Sequence, residues 1–164
     1  MKLDKFTEKA QEALQGAAEL ARESGQQAVE PEHLLLALVR EEEGVARTLL
    51  VRAGASVQAL EPALVSVVER FPKVSGGGQP YISPALNAAL EQAEKEAERL
   101  KDEYISTEHL LLALADNKVL KDAGATHDAL LKALRQIRGS QRVTDQNPES
   151  KYQALEKYGR DLTK

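Results

Sequence analysis

Apolar residues recur at steps of three and four through Ala10, Ala13, Leu14, Ala17 and Ala21, and again through Leu86, Ala89, Leu90, Ala93, Ala97 and Leu100. That spacing places one apolar stripe on each of two helices about five turns long, and the many alanines allow close helix contact. Each stripe is followed by a nearly continuous apolar run, Glu32-His33-Leu34-Leu35-Leu36-Ala37-Leu38 and Glu108-His109-Leu110-Leu111-Leu112-Ala113-Leu114. A helix apolar on every side must be central and buried. The apolar residues are mostly Leu, Ala and Val, a mixture that suits helix packing better than strand ladders. An all-α fold is expected.

The two seven-residue runs are identical and lie 76 positions apart. The same offset pairs Phe6-Thr7 with Ile82-Ser83, Ala13-Leu14 with Ala89-Leu90, Ala17 with Ala93, Ala21 with Ala97, and Val29 with Ile105. Beyond the runs the offset falls to 70, because the second copy lacks six residues of connector. Ala53-Gly54-Ala55 then matches Ala123-Gly124-Ala125, and Leu60, Leu64 and Val67 match Leu130, Leu134 and Ile137. The chain is a tandem repeat of two four-helix units, about eight helices in all, packed as one domain with pseudo-twofold symmetry.

Helix punctuation repeats with the copies. Thr7 and Ser83 read as N-caps, with Pro84 at the first helical position after Ser83. Second helices open at Pro31 and at Thr107, behind the cap Ser106. Short third helices stop at Gly54 and Gly124, and fourth helices start from Ser56 and Thr126. Pro62 falls inside the fourth helix of the first copy, where it should kink the helix or delay its start. These marks divide the chain into a first repeat (1–71), a Gly/Pro linker (72–80), a second repeat (81–138) and a polar linker (139–149). Residues 150–164, with Tyr152, Leu155, Tyr158 and Leu162, carry too little apolar surface to fold alone and are expected to open a following domain.

Charge and composition remove several function classes. With 22 Lys and Arg against 26 Asp and Glu, the net charge of -4 supplies no basic field for nucleic acid or anionic lipid. The absence of Cys excludes disulfides, thiolate metal sites and cysteine nucleophiles. No apolar segment has the length of a signal core or a membrane span, so a cytoplasmic protein is expected.

Candidate chemistry is sparse. The Glu-His pairs at 32–33 and 108–109 suggest metal ligands, but neighbours on a helix point about 100° apart and no His follows four residues on. Gly76-Gly77-Gly78 lacks the preceding strand and the Lys-Ser/Thr of a phosphate loop, and reads as a flexible linker. The acidic run around Glu91, Glu94, Glu96 and Glu98 reads as a solvated helix face. His33, His109 and His127 have no Ser or acidic partner at a recognisable catalytic spacing, so a non-catalytic domain is expected.

The doubled pattern of Phe-Thr, Ala-rich helix, EHLLLAL and Ala-Gly-Ala resembles the N-terminal Clp repeat domain of bacterial Clp ATPases over residues 1 to about 138. The tail from Tyr152 to Thr163 is similar to the lead-in to the first ATPase domain in the disaggregase branch of that family. The resemblance implies a domain that captures unfolded or aggregated polypeptide for a homohexameric machine, with ATP and Mg bound elsewhere in the full-length protein and no cofactor here. The fragment alone is expected to be a monomer. The same resemblance leaves room for docking of folded adaptors, as in the branches that feed a protease, or for a structural brace of the hexamer. It also implies substrate handling by Thr7, Asp102 and Glu108, and a peptide groove between or beside the repeats. By position near the junction, the expected apolar contributors to that groove are Tyr81, Ile82, Leu86, Leu90 and Tyr104.

Each of these residues also has a plainer reading. Thr7 is explained by capping. Asp102 reads as an exposed charge and Glu108 as a carboxylate in a helix first turn. Tyr81 and Tyr104 serve equally as hinge packing or as client contacts. The repeat itself separates the two acids: Glu108 aligns with Glu32, whereas Asp102 aligns with the uncharged Gln26.

Overall fold

The computed structural model describes residues 3–74 and 78–139, together with Pro148. The expectations for 140–164, Pro148 apart, lie outside the described residues. A 3-10 turn at Leu3–Lys5 leads into α1 (Glu8–Glu23), β1 (Ala28–Val29), α2 (Pro31–Arg40), α3 (Val45–Arg52) and α4 (Val57–Glu69). The second copy follows as β2 (Tyr81–Ile82), α5 (Pro84–Arg99), α6 (Thr107–Ala113), α7 (Lys118–Asp122) and α8 (His127–Arg138). Of the described residues 67% are helical, in eight α-helices and a short 3-10 turn, so the all-α repeat holds.

The capping residues read from sequence make the bonds that start the helices. Thr7 Oγ1 accepts the Ala10 N–H at 3.2 Å, and Ser83 Oγ accepts that of Leu86 at 3.0 Å. Ser56 and Thr126 do the same for Ala59 and Ala129. Gly54 and Gly124, at φ of 93° and 83°, supply left-handed stops that a side chain would strain. Pro62 does not delay α4, which starts at Val57. Pro62 and Gln58 are both exposed, so the Gln58 carbonyl that loses its helical N–H partner faces water.

The core is one cluster that spans both copies. Leu34, Leu35, Leu49 and Leu50 from copy one join Leu86, Leu110, Leu111 and Leu120 from copy two, all within 1% of complete burial. Each such leucine contributes roughly 1.5–3 kcal/mol by leaving water. Within each copy the first helix packs on the second, α1 on α2 and α5 on α6. Across the copies α3 packs on α6 and α8, and α4 on α7.

Two short parallel pairings, which helical periodicity gave no sign of, tie the copies together. β1 pairs with β2 in the register Ala28 with Tyr81 and Val29 with Ile82. The symmetry-related bridge joins Phe6 to Ile105, with Thr7 N–H donating to the Ile105 carbonyl at 2.9 Å. In both, the residues before a first helix pair with the residues before the second helix of the other copy. Val74, at the start of the linker, donates its N–H to the Gly25 carbonyl at 2.8 Å.

Candidate functional site

The first helix of each copy ends in the same backbone motif. Gln26 N–H donates to the Ala21 carbonyl and Gly25 N–H to that of Arg22; in copy two, Asp102 donates to Ala97 and Lys101 to Glu98. This is the paired-bond Schellman stop, with a left-handed residue at its C′ position. Gly25 has φ of 71°, and its counterpart Lys101 keeps φ of 60° although it carries a side chain. The motif aims the next residue, Gln26 or Asp102, at the histidine of the following helix.

In copy one, His33 Nδ1 accepts the Glu30 backbone N–H at 2.8 Å, so that nitrogen carries no proton. Nε2–H then donates to Gln26 Oε1 at 2.6 Å, and the Gln26 amide donates to the Val68 carbonyl at 2.7 Å. The chain of bonds is neutral and ends on α4. In copy two, His109 Nδ1 accepts the Ser106 backbone N–H at 2.8 Å and Nε2–H donates to Asp102 Oδ2 at 2.7 Å. Here the chain is charged and ends on α8: Arg138 donates to Asp102 Oδ1 at 2.6 Å and to Glu108 Oε2 at 2.9 Å. At an offset of 70, Arg138 replaces Val68, as Asp102 replaces Gln26 at 76. The two changes compensate each other, because the added carboxylate receives an added guanidinium.

These contacts correct the exposed-charge reading of Asp102. Its side chain and that of Glu108 are fully buried, and the Arg138 side chain is 3% exposed. Arg138, His109 and Ser106 were absent from the sequence-derived site. The signal that could have found Arg138 is the apolar-to-charged change at a helix C-terminus, in register with the Gln-to-Asp change. A second correction concerns His109, which does have a serine and an acid at hand: Ser106 Oγ lies 3.0 Å from Nδ1 and Asp102 Oδ2 2.7 Å from Nε2. Ser106 and His109 are wholly buried and close a capping box at the start of α6. A serine enclosed in this way has no path to a substrate carbonyl.

The remaining residues expected at the site separate into core and surface. Thr7 is fully buried at the head of α1. Leu86 is fully buried and Leu90 is 4% exposed, so both belong to the core and line no groove. Tyr104 is half-buried against that core. Tyr81 and Ile82 stand out in solvent, at 58% and 49% exposure. The eight residues therefore form no single surface.

Two grooves do exist, and the repeat relates them. Groove one, of about 740 Å³, lies along α1, the end of α2 and the α2–α3 connector. Its floor is Ala13, Gly16, Leu20, Ala37 and Leu38, its rim carries Lys9, Glu12, Arg40, Glu41 and Glu43, and Thr107 of copy two also lines it. Groove two, of about 540 Å³, presents Ala89, Gln92, Glu96, Ala113 and Leu114 at the matching positions, with Pro31 in the place of Thr107. In groove two Glu96 accepts from the Gln92 amide at 3.2 Å and bonds His127 Nε2 at 2.9 Å. Polar side chains thus occupy the space that Gly16 and Leu20 leave apolar in groove one.

Burial also sets one titration. Enclosure beside the Phe71 ring, 5.6 Å away, holds the His33 pKa below its usual 6.5, against a weaker upward pull from Glu30 and Glu32. The unfolded chain then binds the extra proton more readily, so His33 contributes fully above pH 6.5 and loses that contribution as pH falls below it. The urea midpoint is expected to drop between pH 7 and pH 5, and to drop less in His33→Gln. Equal pH slopes in the two proteins would show that His33 is not the titrating group.

Among the described residues no cluster of three or more His, Asp or Glu is placed to hold a metal ion, and no helix is long and apolar enough to cross a membrane.

Comparison with known proteins agrees with the doubled architecture. The family model of the Clp repeat (R) N-terminal domain matches residues 5–119. The chain belongs to that family. It is similar to chaperone protein ClpB 1 of Thermosynechococcus vestitus, 44% identical over 98% of this chain and 19% of the relative. Against chaperone protein ClpB of Rhodopirellula baltica the identity is 46%, over 99% of this chain and 19% of the relative. Among solved structures, the Hsp104 N-terminal domain of Candida albicans superposes with a TM-score of 0.77 at 26% identity, over 88% of this chain and 98% of that one. The N-terminal domain of the ClpV1 ATPase of E. coli superposes with a TM-score of 0.64 at 28% identity, over 95% of this chain and 86% of that one. The chain spans about a fifth of the length of the curated relatives it matches. It is thus an N-terminal domain of the kind carried by ClpB and Hsp104 chaperones.

Proposed function

We propose that this domain recruits exposed segments of unfolded or aggregated polypeptides in the cytoplasm and hands them to an ATP-driven, hexameric disaggregase of which it is the N-terminal part. The domain binds and does not catalyse; nucleotide and Mg belong to the rest of the protein. Groove one carries this reading. It is an apolar-floored channel of about 740 Å³, whose counterpart in copy two carries polar groups at the matching positions. A groove of this kind with a mixed-charge rim suits weak, reversible capture of apolar segments that differ in sequence. Thr7, Asp102 and Glu108 then act on clients only indirectly, by fixing the helices that shape the surface.

Titration of the isotope-labelled domain with a permanently unfolded client, such as reduced and carboxymethylated α-lactalbumin, should perturb Ala13, Gly16, Leu20 and Ala37. A Cβ at Gly16 would meet only the Ala37 Cβ, at 3.5 Å, so Gly16→Gln is sterically admissible. Gly16→Gln with Leu20→Glu gives groove one the floor of groove two and is expected to weaken the client at least tenfold with the fold intact. Absence of any perturbation with several clients would remove the recruiting role, and perturbation confined to other faces would remove groove one.

A further inference from the structure

The two strand pairings that join the copies are not equivalent at their outer edges. In copy one the edge residue is Phe6, whose side chain is 1% exposed and whose backbone is fully used. Its N–H donates to the Leu3 carbonyl at 3.0 Å, and its carbonyl accepts from Gln11 Nε2 at 3.0 Å. In copy two the matching residue is Ile82, 49% exposed beside the 58%-exposed Tyr81. On the inner side, Tyr81 N–H donates to the Gln27 carbonyl at 2.7 Å and Ser83 N–H to the Val29 carbonyl at 3.1 Å. Alternate residues of a strand face alternate neighbours, so the N–H and C=O of Ile82 point outward. Among the described residues neither group has a partner.

The sequence explains the difference. The counterpart of Gln11 is Asn87, one methylene shorter, and its amide turns to Glu91 Oε1 at 3.3 Å and away from the Ile82 carbonyl. The counterpart of the Leu3–Lys5 turn is Gln79-Pro80-Tyr81, which forms no such turn, so nothing supplies the carbonyl that Leu3 offers Phe6. On the far side of the sheet α1 packs on β1. The β2 edge is thus left, among the described residues, with a free donor, a free acceptor and two exposed apolar side chains.

We propose that the β2 edge at Ile82 binds client chain by strand addition: an extended segment with apolar side chains lays its backbone against the Ile82 N–H and C=O and rests on Tyr81 and Ile82. An unpaired edge is a template for another extended chain, and main-chain pairing is indifferent to client sequence. This inference rests on the recruiting role but not on groove one. It adds to the apolar channel a contact that reads only backbone, which unfolded segments expose and folded proteins mostly do not.

The test uses the 164-residue chain and a short unstructured peptide of alternating Val and Lys residues, made with and without methyl groups on alternate backbone nitrogens. Methylation keeps the side chains and removes the pairing N–H groups. The plain peptide should protect the Ile82 amide from hydrogen exchange, and the methylated one should bind about tenfold more weakly, the equivalent of roughly two hydrogen bonds. Asn87→Gln, at an exposed position, restores the reach of Gln11 and should cap the Ile82 carbonyl from within, weakening the plain peptide roughly fivefold. Equal affinity of the two peptides, or an Ile82 amide that exchanges as before, would overturn strand addition and leave recruitment through groove one standing. Failure of the peptide to bind while the unfolded client still perturbs groove one would overturn it as well. If neither ligand bound, the recruiting role and this inference would fall together.

Discussion

Replacing Arg138 with Met is expected to lower the unfolding free energy by roughly 3–5 kcal/mol, the cost of leaving buried carboxylates without their cation. Both Asp102 and Glu108 have fully buried side chains, and both bond the same guanidinium. Glu108 has little margin, because among the described residues its Oε1 already lacks a hydrogen-bond partner. Urea unfolding should show a lower midpoint with an unchanged slope if the loss is in the native state alone. A protein that also carries Asp102→Asn and Glu108→Gln should lie closer to the parent than the single variant does, since the uncompensated charges are then gone. The Asn carbonyl can still accept from His109 Nε2–H. A single variant within about 0.5 kcal/mol of the parent, the ordinary range of a surface change, would show that water reaches the cluster.

Leu90→Ala is expected to cost about 2–5 kcal/mol in stability, as the loss of a core side chain does. At temperatures where the variant remains folded, its client affinity should match that of the parent. The expectation separates two readings of the same residue. A leucine lining an open groove would lose affinity on truncation and lose little stability. Leu86→Ala should behave like Leu90→Ala, because the two lie one turn apart on the face of α5 that enters the shared core. Loss of client binding in both, with stability retained, would return them to a binding surface.

The comparison of Leu90 with Gly16 shows where sequence reading reaches its limit. Period and punctuation located α5 and its cap correctly, and placed Leu86 and Leu90 on its apolar face. They did not say whether that face meets protein or solvent. An apolar stripe is required for either, and only the position of α6 against α5 decides between them. Groove one was invisible for the opposite reason. Its floor is made of Ala, Gly and one Leu, residues that read as ordinary close helix contact until the α2–α3 connector is seen to stand away from them.

The strand pairings were missed because their signal is two residues long. A two-residue strand has no period to detect, and its bonds run between segments more than fifty positions apart. Phe6 and Ile82 are aligned by the repeat, yet alignment cannot show that one is buried with its backbone satisfied and the other is open. That difference depends on whether Gln11 or Asn87 spans the last few ångströms to a carbonyl, and on whether a turn such as Leu3–Lys5 precedes the strand to accept the N–H.

The sequence by itself determined the helices, the caps at Thr7, Ser56, Ser83 and Thr126, the glycine stops and the doubling at offsets of 76 and 70. These follow from interactions within a few residues along the chain, and from a repeat written into the sequence. It also marked Asp102 as the position where the copies differ in charge. Tertiary structure alone decided that Asp102 is buried, that Arg138 answers it across 36 positions, that Leu86 and Leu90 are core, and that Ile82 is left as an open edge. Burial and partner choice are set by which helices meet, and no local pattern encodes that meeting.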